Sequence, residues 1–144
     1  MNILISGASG LMGTALCATL ASEGHRAVRL VRQENEIGPN AVAWDPTNER
    51  IDVEDLSEID AVIHLAGEGV GNGRWTAAKK RRILESRRLG TRLLAETAAQ
   101  MNPRPAVFLS ASAIGLYGSR GDEILTEESS AGSDFLADVC TAWE

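Results

Sequence analysis

The sequence predicts a doubly wound α/β fold, in which helices cover both faces of a parallel β-sheet in three αβα layers. Three observations support this prediction. Short apolar segments alternate with longer segments of helical periodicity, the first apolar segment ends in a glycine-rich turn, and 144 residues are enough for one domain. Strands that alternate with helices usually pair in parallel through right-handed crossovers. The composition, 44% hydrophobic and 24% charged, is typical of a globular protein.

Five short apolar segments are predicted to be strands. Their apolar character is typical of parallel strands that are buried on both faces of a sheet. In chain order they are Asn2–Ser6, Arg26–Val31, Ala41–Trp44, Ala61–Leu65 and Ala106–Ser110.

Two longer segments are predicted to be helices. Residues 11–21 carry apolar side chains at helical spacing, and Gly24 supplies a stop signal. Residues 75–100 are helical in composition, and Pro103 follows their end. Each helix lies between two predicted strands, as the fold class requires.

The last third of the chain is predicted to hold a loop and a third helix. The loop, residues 112–132, is rich in glycine, serine and acidic residues. Ser133 or Asp134 is a suitable N-cap for a helix that runs to Glu144. The sequence ends without the glycine or basic residues that usually close a helix, so we expect an interrupted domain.

Composition excludes several classes of protein. No apolar run approaches the roughly 20 residues of a membrane span, and the N-terminus lacks the layout of a signal peptide. Cys17 and Cys140 form no metal or disulfide pattern, which predicts a cytoplasmic protein. The net charge of -6 argues against general nucleic-acid binding. We therefore expect a small-molecule partner, and neither a membrane nor a nucleic acid.

The glycine-rich turn predicts a dinucleotide site. Gly7, Gly10 and Gly13 form a GxxGxxG pattern between the first strand and the first helix. Glycines let the chain turn sharply and let the backbone approach a pyrophosphate, while the helix N-terminus offers N–H groups to the phosphates. The same pattern could also be a tight turn without a ligand.

The end of the second strand favours NADP over NAD. NAD sites commonly place an acidic residue there for the ribose 2′-hydroxyl, whereas an arginine suits a 2′-phosphate. Arg32 stands at this point with Arg29 nearby, and the first acidic residue comes only at Glu34. The alternative is that Arg32 is a solvated surface residue.

Several motifs together resemble a known family. SGASGLMG at the first turn, HLAG at residues 64–67 and VFLSASAIGLYG at residues 107–118 look like the extended, epimerase-type short-chain dehydrogenase/reductases. RWT, KRRILESR and GDE..TEES..GSDFLA..C..WE resemble its atypical epimerase-like subfamily. Relatives of this kind are about twice as long. The resemblance therefore implies that residues 1–144 are an NAD(P)-binding Rossmann domain whose substrate-binding part is absent.

The resemblance also implies roles for individual residues. Leu65, Ala66 and Gly67 correspond to the turn that lies under the adenosine and ribose. Ser112 corresponds to the active-site serine near the nicotinamide, with Ser110 as the adjacent alternative. Ser112 could instead be a loop serine that bonds to the backbone.

The superfamily's catalytic Tyr-x-x-x-Lys pair is missing. Alignment places Leu136 at the tyrosine position and Cys140 at the lysine position. The chain has a single tyrosine, Tyr117, and four residues later stands Gly121. Cys140 could be a substitute acid, although a thiol in a helix is more often a core residue.

A basic cluster lies in the second predicted helix. Eight of the 14 basic residues fall between Arg74 and Arg92, including Arg87, where the usual active-site set has an asparagine. The cluster could be a solvated face, or Arg87 and Arg82 could point at cofactor phosphates. The residues expected to contact the cofactor are Gly7, Ser9, Gly10, Leu11, Met12, Gly13, Arg32, Leu65, Ala66, Gly67, Arg82 and Arg87.

Two functions from different classes follow from these observations. The first is an NADP(H)-binding epimerase or oxidoreductase that acts on a small molecule, for which a sugar nucleotide is one candidate. Ser112 would polarise the substrate carbonyl or hydroxyl. The second is a non-catalytic dinucleotide-binding or redox-sensing protein, which the missing tyrosine and lysine favour.

Overall fold

The protein forms six strands and three helices over the residues that the computed structural model describes, which are 1–33, 37–52, 56 and 58–144. The strands are β1 (Asn2–Ser6), β2 (Arg26–Val31), β3 (Ala41–Asp45), β4 (Arg50–Ile51), β5 (Ala61–His64) and β6 (Val107–Ser110). The helices are α1 (Leu11–Ser22), α2 (Ala77–Gln100) and α3 (Phe135–Trp143). Pro46–Asn48 and Ile114–Tyr117 form short 3₁₀ turns.

The strands form one sheet in the order β4-β3-β2-β1-β5-β6. All neighbouring pairs are parallel except β3 and β4, which are antiparallel. The chain proceeds from β1 to β2 and β3, and then returns to the other side of β1 with β5. Such a reversal opens a crevice at the carboxyl ends of the strands, between β1 and β5. The predicted fold class is confirmed.

The helix ends follow from their capping groups. The Oγ1 of Thr76 accepts the N–H of Lys79 at 3.2 Å, so α2 begins at Ala77 rather than at the predicted residue 75. Of the two proposed caps for α3, Asp134 is the one used, since its carboxylate accepts the N–H groups of Leu136 and Ala137. The last helix ends at Trp143, one residue earlier than predicted.

The sequence prediction missed the short elements. β4 has two residues and extends the sheet edge antiparallel to β3, which is too short for any periodicity to be recognised. The 3₁₀ turn at Ile114–Tyr117 lies within the segment predicted to be a loop. It packs against α3, about 20 residues further along the chain, which no local pattern indicates.

Apolar side chains cover both faces of the sheet. On one face α2 packs over a cluster that includes Leu4, Trp44, Val62 and Leu94. On the other face α1 packs over a smaller cluster around Ile3, Ile5 and Leu20. Burial on both sides explains why the strands are almost continuously apolar, and it produces the three predicted layers. None of the helices that the structure describes is both long and apolar enough to cross a membrane.

The α2 face of the core should dominate stability. Leu94 is 1% exposed within this cluster, so Leu94→Ala should lower the free energy of unfolding by about 2–5 kcal/mol. Ile124 is 89% exposed, so the control Ile124→Ala should change it by less than about 0.5 kcal/mol. Urea denaturation measures both. Equal effects from the two substitutions would contradict this assignment of the core.

Candidate functional site

A cleft of about 1190 Å³ opens at the carboxyl ends of the parallel strands. The glycine turn, the end of β2, the turn after β3 and the residues that follow β5 form its walls, and α2 closes one side. Eight of the residues that the sequence predicted as ligand contacts line it: Gly7, Ser9, Gly10, Arg32, Leu65, Ala66, Gly67 and Arg82. The topology therefore brings together residues from four separate segments of the chain.

Close backbone contacts explain the glycines of the first turn. Gly7 has a φ of +72°, and a Cβ there would lie 2.8 Å from the backbone nitrogen of Ala66. A Cβ on Gly13 would overlap the carbonyl oxygen of Gly7 and lie 2.6 Å from the Cα of Ala8. Side chains at these positions would push β1, α1 and the residues after β5 apart. The tight turn leaves the backbone exposed to the cleft.

The N-terminus of α1 faces solvent beside this turn. Gly10 is the N-cap and supplies no side-chain hydrogen bond to the first N–H groups of the helix. Leu11 and Met12 form the exposed first turn. Free N–H groups and the positive end of the helix dipole suit an anion at this point.

The hydroxyl of Ser6 joins β1 to the turn after β5. Its Oγ accepts the N–H groups of Leu65 and Ala66, each at 3.2 Å, and lies 2.6 Å from the Nδ1 of His64. Two accepted bonds occupy the lone pairs of Oγ, so its proton is donated to Nδ1. His64 consequently carries its own proton on Nε2.

His64 is a fully buried histidine between two indoles. Trp44 and Trp143 pack edge-to-face against its ring, with centroids 6.2 and 6.4 Å away. Burial, and to a smaller extent the charge of Arg87, lower the pKa of His64 from 6.5 to about 4. Nδ1 is hydrogen-bonded to the hydroxyl of Ser6, whereas Nε2 has no partner within the described part of the chain.

Side chains of α2 anchor the turn after β5, residues 65–68, which we call the β5 turn. The N–H of Glu68 donates to the Oγ of Ser86 at 2.9 Å, and its carboxylate pairs with Lys79 at 2.7 Å. Arg82 lies 3.7 Å from the same carboxylate. The hydrogen bond and charge of Lys79 lower the pKa of Glu68, so its side chain is anionic at neutral pH.

The charged side chains of the cleft include one more arginine than acidic residues. Its lining contains Arg29, Arg32, Arg81 and Arg82, and three acidic residues, Asp45, Glu68 and Glu85. Hydrogen bonds from Thr47 and Asn48 occupy the carboxylate of Asp45, and they lower its pKa. Glu34 lies outside the described residues. The arrangement favours an anionic ligand beside Arg32.

Arg87 is a buried arginine of α2. It is 8% exposed and does not line the cleft. Its Nη1 donates to the backbone oxygens of Glu68 and Ile83, both at 3.1 Å, and its guanidinium lies 4.5 Å from the ring centre of Trp143. These bonds use the Nη1 atom alone, and the expectation that Arg87 points at a bound phosphate stays a prediction.

Ser112 follows β6 at the same edge of the sheet as the cleft, but it is not part of the cleft lining. Its Oγ donates to the carboxylate of Glu144, directly after α3. Cys140 is buried, and its Sγ lies 3.7 Å from the carbonyl oxygen of Ala113. Burial raises the pKa of this thiol, which fits a core residue better than an acid–base group.

The sequence prediction overlooked the supporting residues of the site. Ser6 was assigned only to a strand, and Glu68, Lys79 and Ser86 were assigned no role. A serine at the carboxyl end of a central parallel strand is a signal that could have been used, since that edge carries the crevice. Among the described residues, no group of three or more His, Cys, Asp or Glu side chains could hold a metal ion.

His64 should make stability depend on pH. An unfolded His64 takes up a proton near pH 6.5, but the folded one does so only near pH 4. Between these values the unfolded state binds more protons, so stability falls as the pH falls. The shift corresponds to about 3 kcal/mol in total. Urea denaturation of wild type and His64→Gln from pH 7.5 to 4 isolates this contribution, because the carboxylates titrate in both. If the free energies of unfolding of the two proteins change in parallel with pH, this contribution of His64 is contradicted.

Comparisons with known proteins agree with this geometry. The sequence profile of the NAD dependent epimerase/dehydratase family matches residues 3–138. An epimerase family protein of Mycobacterium bovis is 36% identical over 142 residues, which cover 99% of this chain and 46% of that protein. The Bacillus subtilis epimerase family protein YfhF is 33% identical over 148 residues, covering 100% of this chain and 48% of that protein.

Solved structures share the fold. A nucleoside-diphosphate sugar epimerase from Corynebacterium glutamicum is 42% identical with a TM-score of 0.83, and the match covers 99% of this chain and 29% of that one. The human epimerase family protein SDR39U1, solved with NADPH, is 27% identical with a TM-score of 0.85. That match covers 99% of this chain and 47% of the human one.

The chain spans about half the length of the curated relatives that it matches. Its fold, its glycine turn and the profile match over residues 3–138 agree with one another. The chain belongs to the NAD-dependent epimerase/dehydratase family.

Proposed function

We propose that the cleft binds NADP(H) and that residues 1–144 are the cofactor-binding domain of an epimerase or oxidoreductase acting on a small molecule. The observation that carries this proposal is the position of Arg32 in the same cleft as the glycine turn. One part of the cleft offers backbone N–H groups to a pyrophosphate, and another offers a guanidinium to a further phosphate. NADP(H) carries both groups.

The backbone of the first turn suits the pyrophosphate. A Cβ at Gly7 or Gly13 would meet neighbouring backbone, so the turn keeps a surface free of side chains. We assign the pyrophosphate to Gly7, Gly10 and Gly13, with Ser9 beside them in the cleft wall. Leu11 and Met12 would present the free N–H groups of the first turn of α1.

Arginine side chains suit the 2′-phosphate. Arg32 is exposed at the end of β2, and the neighbouring Arg29 and the more distant Arg82 also line the cleft. Leu65, Ala66 and Gly67 would lie under the adenosine and ribose. The NADPH seen in human SDR39U1 supports this choice, whereas the structure of MoeE5, 24% identical, holds NAD and UDP-glucose. NAD is the alternative cofactor.

Ser112, beside the cleft, is the hydroxyl that we assign to the chemistry. A bound nicotinamide cofactor supplies hydride transfer, and this chain's own residues would orient the substrate and exchange a proton with it. Ser112 would donate a hydrogen bond to a substrate carbonyl or hydroxyl oxygen, since it follows β6 at the carboxyl edge. The superfamily's tyrosine and lysine positions hold Leu136 and the buried Cys140.

The second candidate is a non-catalytic dinucleotide-binding or redox-sensing protein. The absent Tyr-x-x-x-Lys pair favours it, because Ser112 is the one expected catalytic side chain that the chain retains. Incubating the whole protein with NADPH and a broad panel of carbonyl compounds separates the two functions. Tight NADPH binding without turnover would favour the sensor. In either case we expect a cytoplasmic protein, because both cysteines are free thiols.

Reversing the charge of Arg32 tests the cofactor assignment. Arg32→Asp removes the proposed partner of the 2′-phosphate and adds a repelling charge, so the Kd for NADPH should rise about 10- to 100-fold. The Kd for NADH should change little, because NADH lacks that phosphate. Isothermal titration with both cofactors measures the preference.

A matched control removes non-specific charge effects. Arg104 is exposed between α2 and β6, at the edge of the sheet opposite the cleft, so Arg104→Asp should leave the preference for NADPH unchanged. If Arg32→Asp also leaves it unchanged, or if the wild type binds NADH as tightly as NADPH, then Arg32 is not the 2′-phosphate ligand.

A further inference from the structure

We propose that Arg87 is a positioning residue that couples the β5 turn to α3, so that a cofactor bound on that turn and the docking of α3 beside Ser112 stabilise each other. The inference rests on the proposed function, since it requires the β5 turn to hold the cofactor. It assigns to Arg87 a role that does not involve contact with substrate or phosphate.

Arg87 holds the β5 turn through its backbone. Its Nη1 donates to the carbonyl oxygen of Glu68 at 3.1 Å. Gly67 lies so close that a Cβ there would be 2.7 Å from the guanidinium carbon. The flat guanidinium thus supports the two residues at the end of the turn, and a change in the path of the turn must move it.

The same guanidinium supports α3. Its carbon lies 4.5 Å from the ring centre of Trp143, in the last turn of that helix. A cation over an indole face gains more when both are shielded from water, and here both residues are buried. No carboxylate of the described residues forms a salt bridge with Arg87. Carbonyl oxygens and the indole are therefore the main groups that offset the loss of water around its charge.

The end of α3 is in turn packed on the segment that holds Ser112. The carbonyl oxygen of Trp143 accepts hydrogen bonds from the hydroxyls of Ser110 at 3.2 Å and Thr91 at 3.3 Å. The carboxylate of Glu144 accepts from the Oγ of Ser112. A continuous set of contacts therefore runs from the β5 turn through Arg87 and Trp143 to Ser112.

The guanidinium of Arg87 is a buried charge, so its contacts with the β5 turn and with α3 are hard to replace. Both contacts of Arg87 must be in place for its guanidinium to be solvated by protein, because burial excludes water. Fixing the β5 turn with a ligand should therefore favour the guanidinium position that α3 needs. By linkage, docking of α3 should strengthen ligand binding by the same factor.

Amide hydrogen exchange with and without NADPH tests the coupling. In the wild type, saturating NADPH should slow exchange in residues 135–144 as well as in the β5 turn. Arg87→Met, which keeps length but loses charge and donors, should weaken NADPH binding about 5- to 50-fold. At saturating NADPH it should retain protection of the β5 turn and lose the NADPH-dependent protection of α3.

Three further variants keep the test decisive. Arg87→Lys keeps the charge without the planar fork, so it should remain folded and recover only part of the coupling. Arg92→Met, at an exposed arginine of the same helix, should behave as wild type. Trp143→Leu should weaken NADPH binding in the wild type but add little in Arg87→Met, because the two residues act on one link.

The outcomes distinguish this inference from the proposed function. If the wild type binds neither NADPH nor NADH, the proposed function fails. If it binds NADPH but the protection of α3 does not change, or if Arg87→Met and Arg87→Lys keep that change intact, the coupling is wrong and the proposed function stands. A general loss of structure would raise exchange equally with and without NADPH, so it cannot imitate a selective loss of coupling.

Discussion

The hydroxyl of Ser6 lies where the two halves of the sheet meet, and the arrangement of the cleft depends on it. It accepts the N–H groups of Leu65 and Ala66 and bonds to the Nδ1 of His64, and the N–H of Leu65 is shared with the backbone oxygen of Ser6. The close approach of Gly7 to Ala66 leaves space for little else. This contact fixes the β5 turn against the glycine turn, and a cleft with two backbone walls results.

The β5 turn is held from both sides. Ser6 fixes its beginning from the sheet, and Ser86, Lys79 and Arg87 fix its end from α2. A loop that is ordered before the ligand arrives loses less conformational entropy on binding. The same anchoring explains the buried Arg87, whose guanidinium supports backbone rather than reaching into the cleft. Under the proposed function, the choice between NADP and NAD would depend on the exposed arginines, among which Arg32 is the one at the end of β2.

The sequence was sufficient to predict those features of the structure whose determining residues are close together in the chain. The glycine turn, the apolar strands and the cap of α3 depend on neighbouring residues, and they indicated the fold. Together with the family resemblance they also indicated eight residues of the cleft lining. It was insufficient to predict hydrogen bonds between residues that are far apart in the chain. The bonds of Ser6 reach 58 to 60 residues along the chain. The burial of Arg87 was not predicted, because composition indicates a basic helix but not which of its arginines the neighbouring α3 covers.

We propose above all that the glycine turn, the β5 turn and the end of β2 form one site for NADP(H). An NMR titration of the isotope-labelled chain with NADPH tests it most directly, because backbone amides report each segment separately. We expect saturable shifts in the amide resonances of Gly7, Gly10 and residues 65–67, and a larger shift at Arg32 with NADPH than with NADH. If the resonances of these amides do not change, or if the shifts cluster near Arg104 at the opposite edge of the sheet, the proposed site is contradicted.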